Sequence, residues 1–202
     1  MIEQSVDNLY FDQLYKDNDD PWAMRHRWYE RRKRALLLAC LQQEHYGAIF
    51  EPGCANGETS LGLATRCDYL LSADMNIRAV DLAQQRLSGI AHAHVVLATL
   101  PDGWPEGAFD LIVLNELGYY LSQADLARVV ERVLGSLKPG GQVAACHWSG
   151  FIEGAPQSTD QVHAQLNAQL GMHTLVQHRG GDFLLDIWSA DATSVAQREG
   201  LR

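Results

Sequence analysis

The chain has 202 residues, 47% of them hydrophobic and 20% charged, with a formal net charge of −9. This is the composition of a globular chain with enough apolar mass for a core of its own, which excludes an intrinsically disordered polymer. The acidic balance argues against broad binding to nucleic acid or acidic membranes, because neutralising phosphate needs clustered Lys and Arg. The first segment is acidic and aromatic, with Tyr10, Phe11 and Tyr15 followed by Asp19-Asp20-Pro21-Trp22. It predicts a short helix over 8–15 and a turn at Asp19-Asp20-Pro21. Residues 23–44 predict a long helix ending in the apolar run Ala35 to Leu41. That stretch also carries Arg25, Arg27, Arg31, Arg32, Lys33 and Arg34. The cluster reads either as a solvated helix face or as a mouth that attracts an anionic substrate or a cofactor carboxylate.

Beyond it, strands and helices alternate. Gly47 to Phe50 is an apolar strand that runs into Glu51-Pro-Gly-Cys-Ala-Asn-Gly57 and a helix to about Thr65. Tyr69 to Ala73 is a second strand, ending at Asp74, and residues 76–87 show helical spacing at Ile77, Val80, Ala83 and Leu87. Ala93–Leu97 and Phe109–Leu114 are the third and fourth strands. A helix over 123–137 is stopped by Lys138-Pro-Gly-Gly141, and Gln142 to His147 is a fifth strand. After a helix over 158–170, Met172–His178 and Phe183–Trp188 read as two strands joined by a tight Gly180-Gly181 turn. The pattern predicts an α/β fold. It is a Rossmann-like, doubly wound seven-stranded sheet, mostly parallel with a C-terminal antiparallel hairpin, plus N-terminal helices. One domain, 1–202, is expected, with 1–45 as a helical lid, 46–189 as the core and 190–202 as a tail.

The four cysteines include no CxxC pair and read as reduced thiols, the N-terminus lacks a signal pattern, and no apolar run reaches membrane-spanning length. A cytoplasmic location is the default expectation. His92-Ala-His94 lacks an evident third ligand, so no metal is expected.

The loop at 51–57 carries acid-x-Gly-x-x-x-Gly, with Gly53 and Gly57 allowing a sharp turn and close approach of a ligand. It lacks the GxGxxG triplet of a pyrophosphate-binding turn. Glu51 would repel pyrophosphate but favour an ammonium, which suits S-adenosylmethionine, with its α-ammonium and sulfonium. Asp74 ends the second strand where a carboxylate can accept hydrogen bonds from both ribose hydroxyls, and equally where it can cap the next helix. Met75 and Ile77 suit an adenine face.

Together these pieces, EPGCANG (51–57), SADMN (72–76), FDLIVLNELGYYL (109–121) and LKPGG (137–141), resemble the class I S-adenosylmethionine-dependent methyltransferases. The resemblance implies that Glu51, Gly53, Cys54, Ala55 and Gly57 form the methionine-end loop, Asp74 and Met75 the ribose and adenine side, and Asn115 the junction with the acceptor. Where that family often has an adenine-binding acid after the third strand, this chain has Ala98-Thr99-Leu100, which shifts the contact to Thr99 or Leu100. A closer resemblance is to the nodulation protein S type of N-methyltransferases and to related methyltransferases found beside sugar N-deacetylases. It is carried by Asp20-Pro21-Trp22 with Glu30 and Arg34, Glu116 to Leu121, His147-Trp148, Asp160-Gln-Val-His163 and Asp182 to Asp186. It implies a small-molecule acceptor, an amine on a sugar, and association with a sugar N-deacetylase.

Methyl transfer needs in-line positioning above all, and a base where the acceptor is an ammonium or hydroxyl. Glu116 and Tyr119 follow the fourth strand, at the edge where open α/β sheets bind ligands. His147 closes the fifth strand at that edge, as a base or as a satisfied buried histidine. Asp160 and His163 share a predicted helix face, and Asp160 alone also fits a first-turn helix charge. Tyr10, Phe11, Tyr15 and Trp22 read as a lid over the cofactor or as packing for an added helix. The competing functional reading is a non-catalytic methyltransferase-like subunit that binds a partner enzyme.

Overall fold

The computed structural model describes residues 4–201; residues 1–3 and 202 of the expected bounds lie outside them. The strands are β1 Tyr46–Pro52, β2 Cys67–Asp74, β3 Ala93–Leu97, β4 Phe109–Asn115, β5 Leu137–Trp148, β6 His173–Arg179 and β7 Phe183–Ser189. The helices are α1 Asn8–Tyr15, α2 Trp28–Cys40, α3 Glu58–Ala64, α4 Ile77–Leu87, α5 Gln123–Ser136, α6 Thr159–Leu170 and α7 Val195–Arg198, with a 3-10 turn at Gly118–Tyr120. One seven-stranded sheet runs β3-β2-β1-β4-β5-β7-β6. β1 to β5 pair in parallel, and β7 joins antiparallel between β5 and β6. The seven-stranded, largely parallel sheet and its closing hairpin are as the sequence predicts.

The side-chain period of two sorts the strands' apolar residues between two cores. Ile49, Leu70, Leu111 and Val113 pack with Leu37 and Leu63 on the α2–α3 side. Phe50, Leu71, Ile112 and Leu114 pack with Leu126, Val130, Val162 and Leu166 on the α5–α6 side. Helix starts are set by side-chain caps: Asn76 for α4, Ser122 for α5 and a Ser158–Gln161 capping box for α6. The cap of α4 is thus Asn76, which leaves Asp74 free of the capping role.

Two elements differ from expectation. α2 begins at Trp28, because Asp20 accepts hydrogen bonds from the Met24 and Arg25 N–H groups and Ala23 takes φ 55°, holding residues 20–25 in a separate turn. Lys138-Pro-Gly-Gly141 does not separate α5 from β5. The strand starts at Leu137, and its pairing jumps from Phe109↔Leu137 to Leu111↔Gln142, leaving those four residues as a bulge with Gly140 at φ 77°. No helix among the described residues is long and apolar enough to cross a membrane.

Candidate cofactor and acceptor cavity

The C-terminal ends of β1, β2 and β4 open into a cavity of about 980 Å³. Its floor is the loop after β1. Gly53 and Cys54 donate their N–H groups to the Ala73 carbonyl at 2.7 and 3.0 Å, and Ala55 donates to Asp74 Oδ2 at 2.9 Å. Asp74 Oδ1 accepts from the Asn76 N–H at 2.9 Å. Each carboxylate oxygen therefore keeps a lone pair for a ligand hydroxyl, and Asp74 lines the cavity. Gly53 sits at φ 74°, and a Cβ there would meet Leu117 Cδ1 at 3.2 Å, so only glycine leaves this floor open.

Gly53, Cys54, Ala55, Asp74, Met75, Thr99, Leu100, Asn115, Glu116 and Tyr119 all line the cavity. Glu51 and Gly57 lie beneath it. Glu51 is 1% exposed, and its Oε2 accepts from Ser60 Oγ at 2.5 Å and from Ser72 Oγ at 3.1 Å. Burial pushes its carboxyl up to about 7, against the pull of those two hydroxyls. Gly57 serves packing and not ligand approach: at φ 79°, a Cβ would come within 3.0 Å of the Ala83 Cα on α4. Burial raises the Cys54 thiol, which stays protonated, so it is no nucleophile.

The N-terminal segment forms the roof. Tyr10 and Phe11 pack on Tyr120 with ring centroids 5.8 and 5.1 Å away, and Tyr15 packs edge-on against Trp22. The Val6 N–H donates to the Tyr120 carbonyl at 2.8 Å, Ser5 Oγ to Asp125 at 2.6 Å, and Asn76 Nδ2 to Asp12 at 2.7 Å. Asn56 Nδ2, in the floor loop, donates to Asp20 at 2.9 Å. The four aromatics thus both pack a helix and line the cavity.

Glu116 has the left-handed φ of 55°, a conformation costly for a non-glycine residue and concentrated at functional sites. Its carboxylate accepts from Tyr119 Oη, from the Trp148 N–H at 3.1 Å and from Lys33 Nζ at 2.5 Å. Trp148, 40% exposed, and Phe151, 88% exposed, form an aromatic rim beside it.

His147, His163 and Asp160 do not reach the cavity. His147 is wholly buried, and burial holds its imidazole well below the usual histidine range. Its Nε2 accepts the Gly118 N–H at 2.9 Å and its Nδ1 meets His163 Nε2 at 3.0 Å. His163 Nδ1 meets Asp186 Oδ2 at 2.6 Å, and Arg179 donates to both Asp186 oxygens at 2.7 and 2.8 Å. One tautomer assignment satisfies the whole chain: each ring donates from Nδ1–H and accepts at Nε2. The pair therefore fixes the Gly118 turn that carries Tyr119, where a base needs a free, solvent-reachable nitrogen. Asp160 is exposed in the first turn of α6 while His163 faces inward, so the two do not act together.

Sequence reasoning named Lys33 only as one of a basic cluster and Asp186 only within a matching piece, and passed over Arg179 and the Asp102–Arg128 pair on the cavity rim. Asp182 to Asp186 and Glu30 carried a visible signal as part of the resemblance. The histidines at 92 and 94 serve separate ends, His92 bonding the Ala64 carbonyl at 2.8 Å and His94 packing on Tyr69.

The cavity fits a nucleoside-bearing cation: an open glycine floor, carboxylates at Glu51 and Asp74, and apolar walls. The comparisons agree. Residues 4–155 match the family model of nodulation protein S, NodS. Nodulation protein S of Rhizobium tropici is 34% identical over 146 residues, which span 68% of this chain and 61% of that protein. The chain therefore aligns with less than two thirds of that relative's length. A Pseudomonas syringae crystal structure, provisionally described as a methyltransferase, is 55% identical with a TM-score of 0.74, covering 81% of this chain and 99% of its own. The N-methyltransferase NodS from Bradyrhizobium japonicum WM9, crystallised with S-adenosyl-L-homocysteine, is 26% identical with a TM-score of 0.80, covering 91% of this chain and 98% of its own. The chain belongs to the nodulation protein S family of class I S-adenosylmethionine-dependent methyltransferases.

Proposed function

We propose that this chain moves a methyl group from S-adenosylmethionine to an amine nitrogen of a small molecule, an amino sugar being the favoured class. The observation that carries the reading is the continuity of one cavity, from the Gly53–Asp74 floor to the Glu116–Tyr119 turn and the Trp148–Phe151 rim. Bound S-adenosylmethionine supplies a methyl group on a sulfonium, whose departure as a thioether needs no acid. The chain's own task is then to hold the acceptor nitrogen in line, about 3 Å from that carbon.

In this reading Asp74 accepts from the ribose hydroxyls, and Gly53, Cys54 and Ala55 present backbone to the methionine end. Glu51 supplies negative charge beneath that end. Met75, Thr99 and Leu100 form the adenine wall, and Asp102 on the rim is the carboxylate available to the exocyclic amine. Asn115 marks the junction. Glu116 and Tyr119 face the acceptor and give its proton somewhere to go, while His147, His163 and Asp186 act as positioning residues through Gly118. The aromatic rim suits the apolar face of a sugar ring. The core at 46–189 is the working unit, and the described part of 1–45 is its lid.

The test is transfer of labelled methyl from S-adenosylmethionine to glucosamine, beside N-acetylglucosamine and glucose. Transfer to glucosamine alone, lost in Asp74→Ala, is the expected result. Transfer to glucose at an equal rate would remove the amine assignment. Cofactor binding without turnover on a broad amine panel would favour the non-catalytic subunit.

A further inference from the structure

The acceptor end of the cavity already holds an ammonium, and it is the protein's own. Lys33, on α2, is 4% exposed, yet its side chain reaches the cavity wall. Its Nζ lies 2.5 Å from Glu116 Oε1 and 3.0 Å from Glu30 Oε2, and 4.8 Å from the centre of the Tyr29 ring. Burial alone would lower its pKa, but the two carboxylates outweigh that and hold the group firmly protonated.

Two carboxylates and an aromatic face are what a substrate ammonium would need. Glu116 does not depend on Lys33 for its place. Its left-handed backbone, the Tyr119 hydroxyl and the Trp148 N–H hold it independently. Glu30 and Tyr29 sit on the first turn of α2, one turn before Lys33. The Lys33 stem is flexible, whereas Glu116 is held by its turn and Tyr29 by its hydroxyl on the Asp182 carbonyl at 3.3 Å. Replacing one ammonium by another leaves neither half-buried carboxylate unpaired, which direct removal of Lys33 would do.

We propose that Glu30, Glu116 and Tyr29 form the subsite for the acceptor's ammonium, and that Lys33 is a resident stand-in which the substrate displaces. The proposal rests on the amine reading above. It makes Lys33 a specificity-determining residue: an acceptor must bring a cation to open the subsite, so amides and alcohols are refused.

The experiment uses Lys33→Met, which keeps the stem and removes the charge. Thermal unfolding is followed in saturating S-adenosyl-L-homocysteine while methylammonium chloride is titrated against matched sodium chloride and acetamide. The variant should show a saturable methylammonium-dependent stabilisation, with half-saturation at least tenfold lower than in the parent, and no response to acetamide. Adding Glu116→Gln to the variant should abolish the response. An equal response in parent and variant, or none in the variant, would overturn the proposal. If Lys33→Met does not fold, Lys33→Gln carries the same test, because it removes the charge while keeping a polar group on the stem. The S-adenosyl-L-homocysteine effect is read separately: its absence would count against the cofactor reading, whereas its presence with no methylammonium effect would count against the subsite alone.

Discussion

Replacing Glu51 by Gln should raise the stability of the ligand-free protein at pH 8 while weakening cofactor binding. Glu51 is 1% exposed and its carboxyl is pushed up to about 7 by burial, from an ordinary 4.5. Its folded-state value exceeds its unfolded one, so the folded chain holds the extra proton between those two values. Stability from this group is therefore present below 4.5 and is lost as pH rises towards 7. At pH 8 the loss is nearly complete and corresponds to about 3 kcal/mol. A glutamine carbonyl can still accept from Ser60 and Ser72, but its amide must find acceptors in the same place. A gain of about 1–3 kcal/mol is expected, or roughly 3–10 °C in melting temperature for a chain of this length. In the proposed complex, the ionised Glu51 faces the α-ammonium. Losing that charge should cost about 1.5–3 kcal/mol, roughly 10–150-fold in the Kd for S-adenosyl-L-homocysteine. Calorimetric titration and thermal unfolding of the same two proteins at pH 8 measure both quantities. Unchanged affinity would remove Glu51 from the cofactor site, and a lower melting temperature would refute the picture of a charge buried at a cost.

Asp74→Ala should weaken S-adenosyl-L-homocysteine by about 1.5–3 kcal/mol, the scale of hydrogen bonds to a charged group; calorimetry reads it directly. Asp186→Ala leaves the buried His163 Nδ1–H without an acceptor while Arg179, 45% exposed, turns to solvent, so a loss of about 1–3 kcal/mol is expected in denaturant unfolding, with cofactor affinity nearly unchanged because the chain lies outside the cavity. His147 is held below the ordinary 6.5 by burial, so the stability it contributes is present above 6.5 and is lost as pH falls below that value. In His147→Gln the unfolding free energy should therefore fall less steeply between pH 6.5 and 5 than in the parent, and equal slopes would assign the acid sensitivity elsewhere. Gly118→Ala drives a Cβ to 2.4 Å from Val162 Cγ1 and 3.1 Å from His147 Nε2, and should cost about 1–3 kcal/mol of stability and reduce turnover. A stable, fully active Gly118→Ala protein would contradict the role given to this turn.

What the sequence made legible is what local chemistry decides. Strands such as β4 announce themselves by an apolar run, Leu111 to Leu114, and the cofactor floor by a glycine, Gly53, where the backbone turns with a left-handed φ. The start of α2 was less visible, because the Asp20 caps and the Ala23 turn compete with helix propensity that is high throughout 23–44. The Lys138-Pro-Gly-Gly141 bulge hid for a related reason: its residues read as a stop, and only pairing with β4 turns them into strand. The histidines were found by type, and for His147 the sequence left base and satisfied buried histidine both open. Spacing placed His147 at the sheet edge, but its partners Gly118 and His163 belong to other elements, and their positions decide that the ring points inward. Lys33 is the strongest case. Within its basic cluster it is one cation among six, and its partner Glu116 lies in a distant turn, so the spacing to Glu30, which Arg34 nearly shares, does not single it out.

The central claim, a site for S-adenosylmethionine on this sheet, is tested most directly by thermal unfolding with S-adenosyl-L-homocysteine beside NAD. At about 100 times its dissociation constant a ligand adds about 2.7 kcal/mol. That amounts to a rise of roughly 5–10 °C for a domain of this size. A rise with S-adenosyl-L-homocysteine, lost in Asp74→Ala and absent with NAD, is the predicted result. A rise with NAD alone, or none with S-adenosyl-L-homocysteine at millimolar concentration, would contradict the account.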